Sequence, residues 1–167
     1  EPYVQDALDL IEFANGEVST KWGKLRADMG HPAPFNLKFI GVGNENWGPQ
    51  YVERLKVFTK AIKDKYPSIK IVNSSGTDPD GERFELLDKE LRNMGADIID
   101  EHYYRRPEWF LGNAARYDKY DRNGSKIFAG EYAAQSDRTV SIHNRNNWLT
   151  AMAEAAFLTG LERNAEV

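Results

Sequence analysis

Apolar positions along the chain alternate between two spacings. From Tyr3 to Ala14, Val4, Ala7, Leu8, Ile11 and Ala14 form a stripe of helical period, closed by Asn15-Gly16. The stretch Glu17 to Phe35 has no stripe, two prolines and two glycines, and is expected to be a long loop. Leu37 to Val42 is a short apolar run with β-branched and aromatic members, as in a buried strand of a parallel sheet. Pro49 then opens a predicted helix to Lys65, with Tyr51, Val52, Leu55, Phe58, Thr59 and Ile62 on one face and Tyr66-Pro67 as its stop.

The same alternation continues. Ile69 to Val72 is a second strand closing in Asn73-Ser74-Ser75-Gly76, and Phe84, Leu87, Leu91 and Met94 mark a helix ended by Gly95. Ala96 to Tyr104 is a third strand, followed by a cationic and aromatic loop from Arg105 to Phe110. A helix is predicted through Ala114, Tyr117 and Tyr120, broken at Asn123-Gly124. Lys126 to Ala129 is a fourth strand that runs into Gly130-Glu131-Tyr132-Ala133. After a polar loop, a last helix spans Asn146 to Leu161, carrying Trp148, Leu149, Met152, Ala155, Ala156 and Leu158. No strand pair has a hairpin connection, so each must cross over to a parallel neighbour. The fold class is α/β, and four such strands suit an open sheet or half of a (β/α)8 barrel.

Composition narrows the function classes. The chain has 167 residues, and 26 acidic against 22 basic residues give a net charge of −4 with neither sign gathered in a block. Nothing predicts a nucleic-acid stripe or a membrane patch. With no cysteine there is no disulfide or thiolate metal site. His31, His102 and His143 lack the spacing of metal ligands. Four Trp and eight Tyr supply amphipathic faces of the kind used by sugar clefts and by ordinary cores alike. The chain starts at Glu1-Pro2 and stops just after a helical segment, and it reads as a piece of something longer.

The candidate chemistry lies at strand ends. Gly43-Asn44-Glu45-Asn46-Trp47-Gly48 delivers a carboxylate where α/β folds place their sites, although Glu45 by itself reads equally well as a helix-capping or solvated acid. Gly130-Glu131-Tyr132 repeats the pattern. In a barrel the two strands face one another across the mouth, and both glutamates enter one cleft. Paired carboxylates are the machinery of glycoside hydrolysis, one protonating the leaving oxygen while the other attacks or activates water. His102 and Tyr104 arrive from the strand between them, and by themselves they read as a buried, hydrogen-bonded strand end. A tyrosine hydroxyl beside one carboxylate keeps it ionised and oriented. Trp22 and His31 are candidates for a cleft rim or for packing beneath their loop. Asp78, Asp80 and Glu82 fit a turn and a helix N-terminus better than a calcium site.

Three segments in order, Gly43 to Gly48, Asp97 to Tyr104 and Phe128 to Tyr132, resemble the family 51 α-L-arabinofuranosidases, retaining glycosidases of clan A. The likeness covers nearly the whole chain, including Trp22-Gly23 and Gly30-His31-Pro32. It implies a partial (β/α)8 catalytic domain over residues 1–167, from helix three to helix seven of the barrel with strands four to seven. It implies Glu45 as general acid/base and Glu131 as nucleophile. Asn44 would bind the sugar 2-hydroxyl, Tyr104 would touch Glu131, and His102 would line the glycone site. Trp47 and Trp109 would form a leaving-group platform. No metal or organic cofactor is implied, the partner is an arabinose-containing carbohydrate, and an extracellular or periplasmic location is favoured. Other clan A activities, of endoglucanase or xylosidase type, and a non-catalytic carbohydrate-binding or assembly role are the competing readings.

A half barrel leaves two strand edges unpaired, so the isolated chain should self-associate, open its sheet or need the rest of the barrel. Little turnover of an aryl arabinofuranoside is therefore expected from these residues alone. Rates matching those of an intact arabinofuranosidase would refute that expectation.

Overall fold

The computed structural model describes residues 2–135 and 147–167. His143 in the predicted polar loop and Asn146 at the predicted start of the last helix lie outside the described residues. The helices are α1 (Pro2–Asn15), α2 (Lys21–Asp28), α3 (Pro49–Lys65), α4 (Glu82–Asn93), α5 (Pro107–Gly112) and α6 (Trp148–Arg163). The strands are β1 (Phe39–Val42), β2 (Lys70–Ser74), β3 (Ile98–Arg105) and β4 (Lys126–Ala134), and a 3₁₀ turn spans Arg116–Lys119. In the sheet the strands follow chain order, β1-β2-β3-β4, and β3 runs parallel to β4. No described helix is long and apolar enough to cross a membrane. The chain divides into two compact units.

The first unit comprises Glu1–Val42 and Pro49–Val72. Its core is a cluster of isoleucines: Ile11 of α1, Ile40 of β1, Ile62 of α3, and Ile69 and Ile71 at and before β2. Asn15, where the α1 stripe ends, uses both ends of its amide on the Leu37 backbone, accepting from the N–H at 2.7 Å and donating to the carbonyl at 2.8 Å. That imitates a strand pairing and fixes the entry to β1. The expected loop Glu17–Phe35 contains α2, which is a correction. The helix was invisible to periodicity because its buried residues are Gly23 and Arg26, with no apolar stripe. Thr20 caps it by accepting from the Gly23 N–H. Arg26 is 1% exposed and donates to the carbonyls of Phe13, His31 and Pro32, so a buried cation replaces the hydrophobic anchor. His31 packs edge-on against Phe35, and Trp22 lies half-buried under the Lys21 ammonium.

The second unit comprises Gly43–Gly48 and Asn73–Val167. Residues of β3 alternate between two faces. Glu101 and Tyr103 point toward the helices, where Tyr103, Phe110, Tyr117, Ala134, Ala153 and Phe157 form the core. Asp100, His102 and Tyr104 occupy the opposite face. Two further predictions are corrected here. Trp109 and Phe110, expected in a loop, lie in α5, which starts with Pro107 at its first turn. The helix expected through Tyr120 is only the 3₁₀ turn, whose Tyr117 is buried. On α6 the apolar positions picked out by sequence are largely exposed: Trp148 is 80% accessible, and Leu149, Met152 and Leu158 are also open. The buried face is Thr150, Ala153, Phe157 and Gly160. Gly160 is there because α6 touches the chain at Ala114; a Cβ would stand 2.0 Å from the Ala114 carbonyl oxygen.

Phe157 is the ring on which Tyr103, Trp109, Phe110, Tyr117 and Tyr132 converge. Phe157→Ala should therefore cost about 3–5 kcal/mol in urea unfolding, whereas Trp148→Ala should stay within about 0.5 kcal/mol.

Candidate active site

The site is assembled within the second unit from three short segments. After β1 the chain makes a tight excursion with positive φ at Gly43, Glu45 and Gly48. Glu45, at φ 53°, holds a left-handed backbone conformation that costs a side-chain-bearing residue of order 1 kcal/mol. The turn is held by the Asn44 N–H, which donates to Asn46 Oδ1 at 2.8 Å. Ser74 Oγ reaches the Asn46 carbonyl at 3.4 Å. The strain aims the Glu45 carboxylate at β3.

On β3, His102 is 2% exposed and has a carboxylate at each ring nitrogen. Nδ1 lies 3.1 Å from Glu45 Oε1 and 3.7 Å from Glu131 Oε2, and Nε2 lies 3.1 Å from Asp100 Oδ2. Tyr104, two residues on and on the same face, donates its hydroxyl to Glu131 Oε2 at 2.9 Å.

Glu131 reaches this face through an irregularity in β4. Asp100 pairs with Phe128 and Glu101 with Ala129, but His102 pairs with Glu131, so Gly130 is an extra residue in the ladder. Without that bulge the strict alternation of β4 would turn Glu131 toward the helices. The glycine is required sterically, since a Cβ there would stand 2.2 Å from Asp100 Oδ1.

The electrostatics follow from the crowding of acids around one imidazole. Burial pulls the His102 pKa down. The hydrogen bond to Glu45 and the charges of Asp100 and Glu131 outweigh it, so the net displacement is upward from 6.5. Burial is also the largest influence on Asp100 and raises its carboxyl against the opposing pull of His102. The hydrogen bond to Glu131 raises the Tyr104 hydroxyl. Glu45, His102 and Glu131 each bring one ligand-type atom to within 4.8 Å of the others. An imidazole between carboxylates can donate from either nitrogen or accept at one of them, and the arrangement is suited to sharing and moving protons.

The structure thus brings Glu45, His102, Tyr104 and Glu131 together, with Asn44 exposed beside Glu45. Trp47 is 55% exposed, and the Arg83 guanidinium lies over its ring at 4.3 Å. Trp109 is not brought to this cluster: it stacks on Tyr103, on the helix side of β3, and donates its indole N–H to Asp80 at 2.8 Å. Asp78 and Asp80 are taken up by Arg105 and Arg116.

Two acids received no role from the sequence. Asp100 was detectable, since it lies two residues before His102 and so shares its face. Glu101 was not. It is fully buried on the helix side, where it accepts from Tyr103, Tyr117 and Tyr120 and pairs with Arg116 at 3.3 Å. Burial is the dominant influence on Glu101 and pushes its carboxyl upward. The same burial, with the charge of Glu101, raises the hydroxyls of Tyr117 and Tyr120.

Residues 1–122 match the family described as the alpha-L-arabinofuranosidase 1 domain, and the chain belongs to that family. It is 50% identical over 166 residues to an extracellular exo-alpha-L-arabinofuranosidase of Streptomyces chartreusis, covering 99% of this chain and 19% of that protein. It is 38% identical to alpha-L-arabinofuranosidase 2 of Arabidopsis thaliana, covering 99% of this chain and 23% of the relative. Among solved structures, the arabinose-bound MgGH51 α-L-arabinofuranosidase superposes with a TM-score of 0.81 at 33% identity, covering 99% of this chain and 27% of that one. The chain spans about a fifth to a quarter of the length of these relatives.

Because the folded-state pKa of His102 lies above its unfolded value, its stabilising contribution is complete below about pH 6.5 and is lost as pH rises through the folded value. An NMR titration of the His102 ring should show a midpoint above 6.5, and Glu45→Gln should lower it. A midpoint unmoved by that substitution would contradict the Nδ1–Glu45 contact.

Proposed function

We propose that this chain carries the two catalytic carboxylates of a retaining α-L-arabinofuranosidase, within a (β/α)8 barrel to which it contributes strands four to seven. One observation supports retention above all. A carboxylate oxygen of Glu45 and one of Glu131 lie within 4.8 Å of each other, a proximity that fits carboxyl groups roughly 5–5.5 Å apart, as in retaining pairs, better than the roughly 6.5–9.5 Å that admits a water molecule for inversion.

The reaction runs as a double displacement. Glu131 attacks the anomeric carbon of a terminal α-L-arabinofuranosyl unit, and the glycosidic C–O bond breaks as the Glu45 proton passes to the leaving oxygen. Water then attacks the glycosyl-enzyme ester, Glu45 takes the water proton, and arabinose leaves with its configuration retained. Tyr104 holds Glu131 through Oε2, leaving the other oxygen for attack. Asn44 takes the sugar 2-hydroxyl, His102 forms part of the glycone wall, and Trp47 offers its free face to the leaving group. The relatives' names, and the arabinose in one superposed structure, favour arabinofuranosyl substrates over those of other clan A enzymes. A relative named as extracellular supports a location outside the cytoplasm.

A mechanism-based arabinofuranosyl inhibitor should label Glu131 in the complete barrel to which these residues contribute, located by peptide mass spectrometry. Glu131→Ala should lose activity by more than about a thousandfold. Labelling of a different residue, or no labelling with activity intact, would sink the assignment.

A further inference from the structure

His102 is held between acids that cannot all act alike. Its Nε2 faces Asp100 Oδ2 and its Nδ1 faces Glu45 Oε1, both at 3.1 Å, with Glu131 Oε2 further away at 3.7 Å. The ring is 2% exposed, so bulk water does not set its proton positions. Which nitrogen carries the permanent proton is decided by the stronger acceptor at each end. Asp100 has that part at Nε2. Its other oxygen lies buried against Gly130 without a hydrogen bond of normal geometry, a placement unfavourable to an ionised carboxylate. The strand opposite is shaped around this carboxylate, because any side chain at position 130 would overlap it. A half-buried acid with one oxygen unpaired, accommodated by a glycine bulge and bonded to one imidazole nitrogen, has its effect through that imidazole.

We propose that Asp100 is a positioning residue of the catalytic centre: by accepting the Nε2–H of His102 it fixes the ring's plane and tautomer. The exchangeable proton then lies on the Nδ1–Glu45 line, where Glu45 delivers it to the leaving group. This rests on the acid/base reading of Glu45. With Nε2 permanently protonated, a neutral ring turns its Nδ1 lone pair toward Glu45, which carries the proton; a charged ring holds that same proton on Nδ1 and shares it with Glu45. In Asp100→Asn the amide offers either its oxygen or its NH₂ to Nε2. The neutral ring can then carry its hydrogen on Nδ1, donate to an ionised Glu45, and leave no acid in place.

The test compares leaving groups in the complete barrel to which these residues contribute. Glu45→Ala serves as the reference, since losing an acid hurts phenyl arabinofuranoside far more than the 2,4-dinitrophenyl compound, whose leaving group departs without a proton. Asp100→Asn should reproduce that asymmetry, with phenyl turnover down about ten- to a hundredfold and dinitrophenyl turnover within about twofold. Nitrogen-15 shifts of the His102 ring, recorded above its pKa, should show the Nε2–H tautomer in the parent and a mixture in Asp100→Asn. Gly130→Ala, which displaces the carboxylate, should change the ring signals in the same way. Equal losses on both substrates, or an Nδ1–H ring in the parent protein, would overturn the proposal. If Glu45→Ala itself shows no leaving-group dependence, the acid/base reading fails and the catalytic part of the proposal fails with it. The ring tautomer still decides separately whether Asp100 orients His102.

Discussion

The extra residue in β4 is the constraint on which the site depends. A strand presents alternate residues to alternate faces, and in β4 the face that carries Phe128 would next carry Gly130. The register shift advances the count by one, so Glu131 is opposite His102 and faces the same way as Asp100, His102 and Tyr104. Only a residue without a side chain fits at the shift, because Asp100 already fills the space. One backbone irregularity therefore settles the direction of Glu131, the room for Asp100 and the contact with Tyr104 together.

The two faces of β3 do different work with similar chemistry. On the helix side, Glu101 is buried among three tyrosine hydroxyls and Arg116, and that guanidinium also reaches Asp80 and the Pro79 carbonyl. A buried carboxylate whose hydrogen-bond partners are all donors anchors the strand. On the other face, Asp100, Glu45 and Glu131 crowd one imidazole, and one oxygen of Asp100 is left without a partner. Four consecutive residues thus hold a strand in place through one face and present proton chemistry on the other.

Where sequence reading failed, polar groups had taken over tasks assigned to apolar ones. The helix α2 is anchored by a buried arginine and a glycine, so no hydrophobic stripe announced it. On α6 the buried line is threonine, alanine, phenylalanine and glycine, while larger apolar residues remain exposed. Close approach of the Ala114 backbone explains the preference for small residues there, and no periodicity rule measures backbone approach. The family resemblance implied a place for Trp109 in a leaving-group platform. Its indole instead joins the aromatic core because Pro107 starts a helix where a loop was expected.

By itself the sequence determined the α/β alternation, the absence of hairpins and the existence of four strands with polar or aromatic groups at their ends. Those features depend on hydrophobic period and connection length, both local quantities. It also carried Asp100, His102 and Tyr104 onto one face, since a strand has period two. Only the tertiary structure decided that Glu45 turns back toward β3 through a left-handed backbone, and that β4 slips by one residue at Gly130. It likewise decided that His102 has an acid at each nitrogen. Each of those outcomes depends on where another segment stands, and steric exclusion between distant residues leaves no periodic trace in the chain.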